Sequence, residues 1–190
     1  MSREHINKFY ADHAALGEFL LQNGELSFAV EAGNNFRRSL VLAVASFFEH
    51  EISEIIRQMP ALHAEGNTML TALIETKAIS RQYHTYFDWN NMTANPFFGS
   101  FGDSCKAAFQ AKTKADAAFK ASVNAFLELG QTRNRLVHRN YVQFDVDKTA
   151  EDIYAQFKLA LDFLDYIRAT LLPSKAPVPE VALAPSADPP

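Results

Sequence analysis

VLAVASFFEHEISEIIRQM, residues 41–59, decides the architecture of this chain. Val41, Val44, Phe48, Ile52, Ile55 and Met59 recur at intervals of three and four, and Leu40 and Phe47 widen the stripe. That period is helical. A helix with so broad an apolar face needs neighbours on several sides, which places it at the centre of a bundle. Glu49, His50, Ser53 and Glu54 form its polar face. The pattern breaks upstream at Gly33-Asn34-Asn35. Pro60 marks the expected end, because its ring removes a backbone donor.

Working outward, residues 2–22 read as a helix that Ser2 can cap and Asn23-Gly24 stops. Ile6, Phe9, His13, Leu16 and Leu20 make its stripe, with His13 read as a structural histidine. A modest helix is expected from Asn67 or Thr68 to Gln82. Residues 83–101 then lose the helical period and carry Phe87, Trp89, Phe97, Phe98 and Phe101. Such rings serve either as a satellite core or interface, or as platforms for unpaired bases. Helical composition resumes at Ser104 and runs to Tyr141, with a break at residues 112–115. Gly130 within it marks a kink or the close approach of another helix. The last helix, residues 149–172, is the most regular. Thr149 and Asp152 form its capping pattern, and Ile153, Phe157, Ala160, Leu164, Ile167 and Leu171 its seam. The fold class is therefore all-α, an antiparallel bundle of about five to six helices spanning residues 1–172. Residues 173–190 hold six of the chain's eight prolines and read as a disordered tail.

Composition narrows the function. A net charge of −4 over 190 residues excludes a generic polyanion binder, so nucleic acid would have to meet a local patch. The single cysteine, Cys105, excludes an internal disulfide and a cysteine-rich zinc site. No signal peptide or membrane span is expected, which makes the chain cytoplasmic. There is no phosphate-cradling Gly loop, H-E-x-x-H or nucleophile-elbow serine. Neither a metal nor another cofactor is expected.

One stretch stands apart: QTRNRLVHRNY, residues 131–141. Arg133, Arg135, Arg139 and His138 crowd together there with no acid between them. On a helix Asn134, His138 and Tyr141 share a face. Arg133 lies about 140° round from His138, at roughly 100° per residue. The set supplies a fixed cation, a group of a type that titrates near neutrality, and an orienting amide. Those are parts for work on a phosphodiester. Basic residues near a helix end also complement the macrodipole without any further role.

R-N-x-x-x-H in the second half of an all-helical domain resembles the signature of the HEPN superfamily. SFFEHEISEII (residues 46–56) is similar to the acidic second helix of such domains. NPFFGSFGDSCKAAF (residues 95–109) resembles the aromatic-Gly loop of the RiboL-PSP-type branch. The resemblance implies metal-free RNA cleavage. His138 would act as general base on the ribose 2′-OH or as general acid on the leaving 5′-oxygen. Arg133 would stabilise the phosphorane, and Asn134 would orient His138 or contact the phosphate. Arg135, Arg139, Tyr141 and Glu49 are expected to support RNA binding. Glu49 either pairs with Arg133, holds His138, or is simply a solvated or structural carboxylate.

The resemblance also implies a homodimer with a composite site, RNA as partner, and a toxin or phage-defence setting with a possible antitoxin. Relatives with a nucleotidyltransferase partner often carry Tyr two residues after the His. Asn140 stands there instead, and Tyr141 follows. Two other functions stay open: a non-catalytic RNA- or nucleotide-binding module, and a helical interaction subunit whose partner engages the aromatic loop.

Overall fold

The computed structural model describes residues 2–138, 141 and 144–173. Among these the fold is all-α, with one isolated bridge pair, Asp88 and Thr93. The long helices are α1 (Arg3–Gln22), α2 (Leu26–His63), α6 (Asp103–Ala115), α7 (Ala117–His138) and α8 (Ala150–Leu171). Between α2 and α6 lie the short helices α3 (Thr68–Leu73), α4 (Tyr83–Tyr86) and α5 (Asn95–Gly99). A π-helical turn, Ile74–Ile79, follows α3. The short elements escape a reading by period, which is why fewer helices are expected from sequence.

The core forms where α2 and α7 each pack on α8. Every residue of the α8 seam from Ile153 to Leu171 is buried, as are Val41, Val44, Phe48, Ile52 and Ile55 of α2. Phe47 meets Phe157 edge-on at 5.4 Å, and Phe48 meets Phe126 edge-on at 5.3 Å. Such contacts add about 0.5–1.5 kcal/mol each beyond burial. The cap on α8 forms as expected. Asp152 N donates to Thr149 Oγ1 at 3.1 Å, and Thr149 N donates to Asp152 Oδ2 at 3.2 Å.

Several boundaries differ from expectation. Gly33-Asn34-Asn35 does not interrupt α2, which begins already at Leu26. Each asparagine is held by a neighbour one turn away. Arg37 donates to Asn34 Oδ1 at 2.5 Å, Arg38 to Asn35 Oδ1 at 3.1 Å, and Asn35 to Glu31 at 3.0 Å. Pro60 does not end the helix either. The cost of its missing N–H is a single bond near the C-terminus, and its carbonyl still accepts from Ala64 and Gly66. His63 Nε2 bonds to Leu171 O at 2.8 Å and fastens that last turn to α8.

The α1 stripe is buried only at its start. Ile6 is in the core and His13 stacks on Phe36 at 3.6 Å, whereas Leu16 is 46% exposed. Phe19, Leu21, Leu26, Phe28 and Val30 are exposed too, so the α1–α2 turn extends beyond the bundle. The expected tail begins at Pro173, and its remainder lies outside the described residues.

Candidate active site

Three segments build one cleft: α2, the short helix α4 with the loop after it, and α7. Its floor is apolar, from Phe48, Phe126, Leu129 and Gly130. Its polar lining is Glu49, Tyr83, His84, Arg133 and Asn134, with Trp89 as a side wall. The structure thus brings Arg133, Asn134 and Glu49 together. All three are half-buried, and no ion pair joins Glu49 to Arg133 among the described residues. Arg133 Nη1 instead donates to Asn134 Oδ1 at 3.2 Å. Burial first, and then the Glu49 carboxylate, push the Tyr83 phenol far above its ordinary value, with Arg133 pulling the other way.

His138 is the last residue of α7 and is exposed. It follows Asn134 by four residues, about 6 Å along the axis. Val137 is 47% exposed. Tyr141 does not continue the Asn134–His138 face, because the helix has already ended. Its hydroxyl lies 3.4 Å from Ser39 Oγ, and the Arg38 guanidinium stands 5.9 Å from its ring centre. Arg135 is exposed and lies 5.4 Å from the Phe144 ring. Arg139 lies outside the described residues.

The segment after the motif is tied down by residues that sequence reasoning passed over. Arg38 Nε donates to Phe144 O at 2.8 Å, and Arg37 Nη1 to Val146 O at 3.1 Å. Glu128 receives Lys148 at 2.6 Å and Gln156 at 2.6 Å. The Lys148 bond, then its charge, outweigh burial and hold the Glu128 carboxyl below its usual range.

The aromatic loop is mostly interior. Phe87, Phe97 and Phe98 are buried at 3%, 1% and 0% exposure, which removes them as platforms for bases and as a partner's target. Trp89 has a different task. Its Nε1 donates to His84 O at 3.0 Å, and its own carbonyl accepts from Gln131 Nε2 at 2.9 Å. The ring occupies the space that Gly130 leaves on α7, where a Cβ would lie 2.0 Å from the Trp89 Cζ3 atom. The expected close approach at Gly130 is real, but it comes from a loop and not from a helix. His84 carried no signal in the sequence, since residues 83–101 have no period to place it.

The family model for RiboL-PSP-HEPN matches residues 8–172. The chain belongs to that family. No curated protein and no solved structure matches it. The match to RiboL-PSP-HEPN covers all three walls of the cleft and the whole motif helix.

Proposed function

We propose that this RiboL-PSP-HEPN chain is a metal-independent endoribonuclease that cleaves RNA by attack of the ribose 2′-OH. The observation that supports it is the placement of Arg133 and Asn134 at one cleft, with His138 one turn beyond. Arg133 stabilises charge building on the phosphorane through hydrogen bonds set in advance. His138 moves a proton at the 2′-OH or at the leaving O5′. The products are a 2′,3′-cyclic phosphate and a 5′-hydroxyl, so DNA, lacking the nucleophile, survives. Two copies facing one another across a two-fold axis would place a second guanidinium and a second His138 imidazole at the phosphate. We further propose a cytoplasmic toxin or phage-defence effector, held in check by a partner. No helix among the described residues is long and apolar enough to cross a membrane.

The test is incubation of purified protein with mixed cellular RNA in EDTA. Fragments with cyclic phosphate ends are expected, and Arg133→Ala and His138→Ala should each slow cleavage on the order of a hundredfold or more. EDTA-resistant cleavage retained in His138→Ala protein sinks the assignment.

A second reading, an interaction subunit, is favoured by the exposed Phe19, Leu21, Leu26 and Phe28 at the α1–α2 turn. It predicts no loss of function on changing His138.

A further inference from the structure

In-line cleavage needs one group to take the 2′-OH proton and another to supply a proton to O5′. The sequence motif offers a single histidine for both tasks. The cleft contains a second one. His84 lines it beside Arg133 and Asn134, on the wall opposite α7. We infer that His84 is a catalytic residue of this site, the second proton-transfer group that His138 lacks within one chain. This rests on the endoribonuclease reading above.

The positions suit the task. Along α7 the cleft spans Phe126 to Asn134, and His138 follows one turn later. His84 thus shares the cleft with Arg133 and Asn134, and His138 stands one turn beyond Asn134 at the helix end. On this reading a phosphate drawn to the Arg133 guanidinium is served by His84 from the cleft and by His138 from the helix end. In the step itself the neutral imidazole takes the 2′-OH proton while the 2′-oxygen bonds to phosphorus. The P–O5′ bond breaks, and the protonated imidazole gives its proton to O5′. One histidine ends charged and the other neutral, so charge and atoms balance without a co-reactant.

The local fold holds His84 ready for this work. Its neighbours Phe87 and Trp89 are packed into the aromatic cluster, while its own side chain is exposed. Its carbonyl is fixed by the Trp89 indole at 3.0 Å, and Thr85 N closes the preceding turn on Gln82 O at 2.8 Å. The backbone is clamped and the imidazole is free to meet solvent and substrate. The charged and titratable groups lining the cleft with it are Glu49 from α2, Tyr83 from α4 and Arg133 from α7.

The experiment compares the full chain with His84→Ala, His84→Gly and His138→Ala, using two readouts. The first is the pH–rate profile for RNA cleavage. A bell is expected for the parent, and loss of one limb with at least a hundredfold slower turnover for His84→Ala. Added imidazole should restore part of the rate in His84→Gly, which a structural role would not allow. The second is emission from Trp89, the chain's single tryptophan, on titration with a 2′-O-methylated oligoribonucleotide. That probe cannot be cleaved and reports occupancy of the cleft in every variant. A His84→Ala protein that keeps both limbs and its rate overturns the proposal while leaving the endoribonuclease reading in place. A parent chain that neither cleaves RNA nor changes its emission overturns both.

Discussion

The Arg133 guanidinium donates to the side-chain oxygen of its own neighbour, Asn134, at 3.2 Å. A flexible cation is thereby held toward the cleft by the next residue on the helix, an arrangement that limits its rotamers before any phosphate arrives. In the sequence Asn134 reads as orienting His138 or contacting the phosphate. In the structure its oxygen serves Arg133.

Asn134→Ala should therefore fold normally and slow cleavage less than Arg133→Ala, on the order of tenfold, because the cation remains and only its aim is lost. Circular dichroism and single-turnover rates on the two proteins check this. Loss of helical signal would make Asn134 a structural partner.

Gly130→Ala should be destabilised by about 1–3 kcal/mol, since the new methyl meets a ring packed by α7 and the loop together. The Trp89 emission should shift as the indole leaves its place, and cleavage should fall with it. Trp89→Leu should relieve the clash. The double variant should then lose less than the sum of the two single changes. Additive losses in denaturant titrations would mean the two positions are energetically independent.

Acidification should weaken the fold through His13. Burial against Phe36 lowers its folded value, and the Glu151 charge only partly offsets this. The neutral ring is thus the form that folds best. Stability is full above the unfolded value of about 6.5 and is lost as pH falls through it. His13→Phe keeps the stacked ring and removes the proton site. Between about pH 7.5 and 5.5 it should lose less melting temperature than the parent. Equal losses would assign the acid sensitivity elsewhere.

Mixing Arg133→Ala protein with His138→Ala protein should restore part of the cleavage if two copies share one phosphate. Sedimentation over a range of concentrations measures the pairing itself. A strictly monomeric chain that still cleaves RNA would remove the shared site and leave each chain to act alone.

What could be read from sequence was what is local or strictly periodic. The α8 cap depends on two residues three apart, and its seam on one repeat, so both were legible. The break expected at residues 112–115 falls just beyond them at Asp116, whose carboxylate accepts from Phe119 N at 2.9 Å. Gly33-Asn34-Asn35 misled because low helix propensity was outweighed by side-chain pairs along α2 and by the packing of Phe36 on α1. The motif half of the cleft was legible for its composition. The opposite wall was not, because Tyr83, His84 and Trp89 reach α7 through a loop whose path no pattern announces.

Trp89 and Gly130 also bear on how this chain can change over generations. The indole in its present place leaves no room for a side chain at position 130, whereas a glycine there makes no demand on the loop facing it. Descent should therefore run in one order, with the tryptophan replaced first and the glycine afterwards. Lineages that keep the ring should be unable to fill the position facing it, and those that fill it should already have rebuilt the loop that carries His84.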